Sequence, residues 1–180
     1  MNKLIYNGEN IKNMSYTQSK NGNYINPKSN ILLKSPLLTT FGVSEYEGNK
    51  YISFMLDNSE FLENILLFEN EIKEHLQTHF GNKTMEMSPI VKYSKTSNLP
   101  SFKIKIGKAY TMFDENRKQL YPTKNNEMNP LDYIMNYSKV NVMIQFNGFF
   151  VPNNDDNIAY PMLALSQIKI TKPFQYNCDF

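Results

Sequence analysis

The sequence predicts a mainly β fold, a barrel or sandwich of about seven or eight short strands with one inserted α-helix. Apolar residues take every second position over Ser101–Ile106 and Val140–Phe146, the period of strands with one buried face. Only one stretch, about 59–80, repeats its apolar residues at three- and four-residue steps. Polar turn clusters separate the remaining apolar runs, and the 41 % hydrophobic content suits a packed core.

Taken in order, residues 1–30 are polar, with a hairpin-like turn at Asn21-Gly22-Asn23 between short runs ending at Tyr16 and starting at Tyr24, and they either join the barrel or lie at its periphery. Ile31 to Leu38 reads as a strand that Pro36 ends or confines to an edge. Phe41-Gly42-Val43 follows, then a turn at Glu47-Gly48-Asn49 and a strand at Tyr51–Leu56. The helix is capped by Asn58 or Ser59, with Glu60 and Glu63 at its positive end and Gly81 at the C-cap position. Phe61, Ile65, Phe68, Ile72 and Leu76 form its apolar stripe, with Glu69, Glu71 and Glu74 directed toward solvent. After it come strands at Ile90–Tyr93 and 101–106, a polar loop over 114–130, and a strand at 140–146 broken by Gly148. A turn at Asn153–Asn157 and a last strand at Met162–Ile170 complete the chain. The expected organisation is one domain over 1–174 and a short C-terminal tail at 175–180.

Composition excludes several classes. No window approaches the roughly 18–20 apolar residues that cross a bilayer. The start, MNKLIYNGENIKN, has no apolar core of secretory-signal length, and the single Cys178 has no partner for an internal disulfide. An intracellular protein without membrane association is therefore expected. Lys outnumbers Arg 18 to 1, and Asn, Ile and Tyr are abundant, the bias of an AT-rich coding sequence.

The net charge is only +2, but it is unevenly spread. Residues 83–124 carry nine Lys/Arg against three acids, and 45–74 carry eight acids against two Lys.

Enzyme signatures are absent: there is no phosphate-binding loop, dinucleotide glycine pattern or nucleophile elbow. His75 and His79 share a helix face, but Leu76 stands where a metalloprotease needs Glu, and only Glu71 offers itself as a third ligand. A solvated helix face is the plainer account. Asp155-Asp156 suits turn chemistry, and Cys178 lies too near the end of the sequence to suit a nucleophile. No catalytic residue, metal or cofactor is expected.

What remains is a basic stretch interleaved with aromatics: Lys92, Tyr93, Lys95, Lys103, Lys105, Lys108, Tyr110, Phe113, Arg117, Lys118 and Tyr121. Single-stranded nucleic acid needs cations for phosphates and flat rings for bases. With Phe102, Ile104 and Ile106 inward, Lys103 and Lys105 stand about 7 Å apart on the other face. The alternative is an ordinary solvated strand face, with Tyr93 and Phe113 in the core. At the C-terminus, Asp179 and Phe180 provide an acid, a ring and a carboxylate that suit a partner's basic-rimmed apolar pocket; a frayed end without a role is the other reading.

Three segments carry a family resemblance. SPLLTTFGVSEYEGNKYISFML leads into the helix SEFLENILLFENEIKEHL; SPIVKYSKTSNLPSFKIKIG supplies the basic strand; VNVMIQFNGFFVPNNDDNIAYPMLALSQIKI closes the domain with Gln167 on its final strand. Together, over roughly residues 31–172, the chain resembles the single-stranded-DNA-binding proteins of nucleocytoplasmic large DNA viruses, relatives of those of short-tailed phages. The resemblance implies an OB-like, partly open β-barrel with an inserted amphipathic helix, and no catalytic or metal-binding residues. It also implies that Lys92, Tyr93, Lys103 and Lys105 lie on or near the strand-binding groove. The phage members end in an acidic run closing on Phe; this chain keeps only Asp179-Phe180, which weakens the case for tail-mediated recruitment of replication proteins. The implied function is non-enzymatic, sequence-tolerant binding of single-stranded DNA, with RNA as the other strand to test. It would act as an accessory to viral replication, repair or recombination in the host cytoplasm or a viral factory, with homo-oligomer formation open. The competing class is a structural virion or capsid-associated β-sandwich.

Overall fold

Residues 12–80, 85–122, 130–153 and 157–172 are described by a computed structural model of the chain. Its strands are β1 (Met14–Gln18), β2 (Gly22–Pro27), β3 (Ile31–Lys34), β4 (Leu38–Tyr46) and β5 (Asn49–Met55), followed by the helix α1 (Ser59–Phe80). Then come β6 (Glu86–Met87), β7 (Lys92–Tyr93), β8 (Pro100–Ile106), β9 (Thr111–Phe113), β10 (Gln119–Tyr121), a 3-10 turn at Pro130–Tyr133, β11 (Lys139–Pro152) and β12 (Ile158–Lys172).

Five of these strands close into a barrel in the order β4–β5–β8–β12–β11 and back to β4. Closure is uneven. β4–β5 and β5–β8 are antiparallel over most of their lengths, whereas the parallel β8–β12 seam has the single registered pair Lys105–Ala164. The β11–β4 seam has two, Lys139–Thr39 and Val140–Leu38. The barrel is therefore partly open, as the resemblance implied.

Local chemistry fixes each corner. Glu47 and Gly48, both at positive φ (50° and 71°), make the two-residue turn that right-handed strand twist favours. At the Pro36 break the Ser35 hydroxyl accepts the Val142 N–H at 2.8 Å, so β11 keeps a partner where the chain passes from β3 to β4. Gly42 (φ 88°) sits at a register shift between Thr40 and Gly42, and its N–H donates to the Thr40 hydroxyl at 2.8 Å. Phe41-Gly42-Val43 thus belongs to β4 itself.

The helix spans the residues its periodicity predicted. Asn58 caps it, its side-chain oxygen accepting the Phe61 N–H at 2.9 Å. All five stripe residues, Phe61, Ile65, Phe68, Ile72 and Leu76, are buried. Phe61 packs on Phe102 (6.3 Å between ring centroids) and Phe68 meets Phe146 edge-on at 5.4 Å, so the stripe covers barrel core. Glu69 is half-buried, not solvent-directed, and its carboxylate accepts the N–H groups of Ile90 and Val91 at 2.8 and 3.1 Å. Those two amides are spent on the helix, so the strand expected over Ile90–Tyr93 shortens to Lys92–Tyr93.

Two further differences come from strand pairing. Gly148 does not break the last sheet: at φ 95° it lies within β11, and a Cβ there would run into the Ile25 carbonyl. β11 therefore continues to Pro152 and pairs with β2, and β12 lengthens to match. The loop expected over 114–130 contains β10, which pairs with β9. Of the first thirty residues, whose place the sequence left open, 22–27 form β2 on the edge of β11 with Ile25 in the core. Gly81, the Asp155-Asp156 turn, Cys178, and the tail pair Asp179 and Phe180 lie outside the described residues.

Candidate nucleic-acid interface

The alternation in β8 decides which of its side chains face outward. Phe102, Ile104 and Ile106 are buried, and Lys103 and Lys105 are exposed. Across the antiparallel ladder, Ser53 stands opposite Lys103 and Tyr51 opposite Lys105, so all four share the barrel's outer face. The Lys103 ammonium lies 4.5 Å from the Tyr51 ring centroid, a cation–π contact that holds charge and ring together.

Registered pairs extend this face around the barrel. Leu32, Gln145, Ala164, Lys105, Tyr51 and Ser44 stand successively opposite one another across β3, β11, β12, β8, β5 and β4. Four inter-strand steps separate Leu32 from Tyr51, about 19 Å at the usual strand spacing. Ala164 is the smallest member, and it lies beside Lys105, leaving a low floor next to a cation.

The next rows deepen into a groove of about 460 Å³ lined by Lys34, Phe113, Arg117, Asn141, Met143, Gln167 and Lys169. Lys34 opposes Met143, Met143 opposes Gln167, and Gln167 opposes Thr111; Asn141 opposes Lys169, which opposes Phe113. Arg117 reaches this groove from the turn between β9 and β10. Asp114 tightens that turn, its carboxylate accepting the N–H groups of Asn116 and Lys118 at 2.9 and 2.8 Å. The turn carries Arg117 at φ 64°, a left-handed conformation uncommon outside glycine and asparagine. A second cleft, of about 530 Å³, opens on the other side of Lys105 and includes Lys50, Lys108 and Tyr121.

The remaining predicted residues separate by exposure. Lys92 and Tyr93 are exposed on β7, which pairs with β8 through Lys92–Ser101 and Tyr93–Pro100. Lys95 lies in the exposed turn that follows, and Lys118 is exposed in the β9–β10 turn. Tyr110 departs from expectation. It is 8 % exposed and stacked on Tyr121 at 4.6 Å, so its ring has no open face for a base. Burial, followed by the nearby Tyr121 hydroxyl, pushes the Tyr110 pKa up to about 12. Tyr121 is half-buried as its stacking partner.

Sequence reasoning missed Tyr51, Lys34, Lys50, Asn141 and Lys169 as site residues, and it noted Gln167 without giving it a role. A local signal existed for some of them. Tyr51 precedes the buried Ile52, and Lys169 sits between the buried Ile168 and Ile170, so strand alternation alone turns both outward. On the opposite charge pole, Glu60, Glu63, Glu71 and Glu74 are exposed along α1. Among the described residues, no three His, Cys, Asp or Glu side chains converge as a metal site; the His79 side chain is not among them.

Comparison with known proteins gives one kind of match. No protein-family model and no curated protein sequence matches the chain. Among solved structures, the chain is similar to the single-stranded DNA-binding protein from bacteriophage Enc34 in complex with ssDNA. That likeness has a TM-score of 0.57 at 12 % identity and covers 88 % of this chain and 94 % of that one. The same phage protein in a second structure gives 0.55 at 13 % identity, covering 93 % and 96 %. The single-stranded DNA-binding protein encoded by bacteriophage T7 gives 0.51 at 12 % identity, covering 82 % and 95 %. At such identities the likeness is one of fold.

Proposed function

We propose that this chain binds single-stranded DNA, without catalysis and with broad sequence tolerance, along the outer face of its barrel. One observation carries the reading: strand register sets Tyr51, Lys105 and the low Ala164 floor in one row, flanked by Lys103 on one side and the Lys34–Phe113–Arg117–Lys169 groove on the other. Cations about 7 Å apart suit successive phosphates, and the half-buried Tyr51 and Phe113 rings suit bases. The named phage proteins, one of them in complex with ssDNA, support the same ligand class.

The finer assignment is also a proposal. The chain would act in replication, repair or recombination of a large DNA virus, in the host cytoplasm or a viral factory, as the single-strand-binding counterpart that the three sequence segments resemble. Residues 1–174 would form the binding domain. The 175–180 tail, with Asp179 and Phe180, would be the candidate contact for replication proteins.

The test is fluorescence anisotropy with labelled poly-dT, a matching duplex and matching RNA, across a salt series. Single-strand binding well above duplex, and weakening steeply with salt, is the expected result. Equal binding to all three, or none, overturns the proposal and favours the virion-protein alternative.

A further inference from the structure

We propose that Asp114, an acid inside the basic stretch, is a positioning residue for single-strand binding: it holds Arg117 at the groove, where the guanidinium meets a backbone phosphate. This rests on the single-strand reading above.

The turn between β9 and β10 is built around Asp114. Phe113 pairs with Gln119, and inside that pair the Asp114 N–H donates to the Lys118 carbonyl at 2.9 Å. Glu115, Asn116 and Arg117 are left to cross between the strands. The N–H groups of Asn116 and Lys118 donate to the same carboxylate oxygen, Oδ1, at 2.9 and 2.8 Å. The Arg117 N–H donates to the Asp114 carbonyl at 3.1 Å. Every N–H from 116 to 118 therefore ends on Asp114. Glu115, the other acid of the turn, is exposed and takes none of these bonds.

A three-residue hairpin loop sets its last residue in the left-handed region, a position that suits glycine. Here that residue is Arg117, at φ 64°. A β-carbon is strained in this conformation, so fold stability alone favours glycine there. Strain held in this way points to use of the side chain. Arg117 lines the groove with Phe113, Lys34 and Lys169, and a planar guanidinium can take two phosphate oxygens at once. The turn departs from Phe113, whose register partner on β12 is Lys169, so fixing the turn fixes Arg117 against that ring and that lysine. An arginine on a loose turn must be ordered as the strand binds, whereas Asp114 orders the backbone beforehand.

Charge and position predict opposite signs. On charge alone, removing either acid of the turn tightens binding to a polyanion. Glu115→Ala should do so slightly. Asp114→Ala should instead weaken binding roughly two- to tenfold, because the turn is then ordered only on binding. Asp114→Asn keeps an Oδ1 acceptor for both amides and should bind at least as tightly as wild type. Arg117→Gly should melt no lower than wild type, yet bind more weakly, with a salt slope smaller by about 0.7. With Arg117→Gln already in place, adding Asp114→Ala should weaken binding no further.

The experiment is anisotropy of a labelled dT oligonucleotide on the full chain across a salt series, with a thermal melt of each variant. Asp114→Ala binding as tightly as wild type overturns the inference. So does a loss that Asp114→Asn shares, or one that persists undiminished beside Arg117→Gln, because Asp114 then acts through something other than Arg117. Wild type that binds no oligonucleotide overturns the single-strand reading itself.

Discussion

Replacing Lys103 and Lys105 together by glutamine should flatten the salt dependence of single-strand binding without unfolding the barrel. Both side chains are exposed on β8 while their neighbours Phe102, Ile104 and Ile106 fill the core, so the change removes charge and little packing. Each phosphate neutralised on a single strand contributes about 0.7 to the slope of log affinity against log salt, so two contribute about 1.4. Between about 50 and 200 mM salt, the double variant should therefore lose roughly sevenfold less affinity than wild type. The two sites are unequal in affinity. Lys103 gives up its contact with the Tyr51 ring, 4.5 Å away, to reach a phosphate, and an exposed cation–π pair is worth about 0.5–1 kcal/mol. Lys105→Gln should thus weaken binding at fixed salt more than Lys103→Gln. Anisotropy of a labelled dT oligonucleotide over a salt series measures both quantities, with Lys73→Gln on the exposed side of α1 as the control. A double-variant slope equal to that control would remove β8 from the interface.

Tyr51→Ala should cost about 1–3 kcal/mol of binding, nearer the lower figure because the ring is half-buried, while the salt slope stays close to wild type; the same titration separates the two effects. Phe68→Ala should destabilise the fold by about 3–5 kcal/mol in urea unfolding, since the ring is fully buried against Phe146 between helix and barrel. Tyr110 gives a pH signature. Its folded-state pKa, about 12, stands above the ordinary 10, so its contribution to stability is complete below pH 10 and is lost as pH rises through the folded value. The urea midpoint should fall over that window, and Tyr110→Phe should reduce the fall; equal falls in both proteins would refute the assignment.

How much was legible in the sequence follows the range of the interaction involved. The α1 stripe and its Asn58 cap depend on residues three or four apart, and both emerge as read. The β8 alternation is equally local, and it correctly divides Lys103 and Lys105 from the core. Gly148 shows the limit. A glycine inside an apolar run signals a break when only the run is visible, whereas here it admits the Ile25 carbonyl of a strand more than a hundred residues earlier. Glu69 has the same character, because its partners, the Ile90 and Val91 amides, lie beyond the helix end. The interface combines both kinds. The basic stretch supplied lysines by proximity in sequence, but proximity also enlisted Tyr110, which packing removes from the surface. Strand alternation turns Tyr51 and Lys169 outward, but only register brings them and Lys34 onto the same face as Lys105.

The shared central strand β11 has a consequence for the order in which the chain can acquire its structure. β3 pairs with β11 alone, and β2 with β11 and the short β1. Leu33 meets Ile144, so a ribosome adding about 5–20 residues per second needs roughly 6–22 s to supply the partner. The β4–β5 hairpin can form early, and β11 and β12, neighbours in the chain, pair with each other. The N-terminal strands must wait with apolar Ile25, Ile31 and Leu33 uncovered. During synthesis the nascent chain is therefore most exposed to mispairing and chaperone capture at its beginning, and sheet assembly there is completed only after β11 emerges.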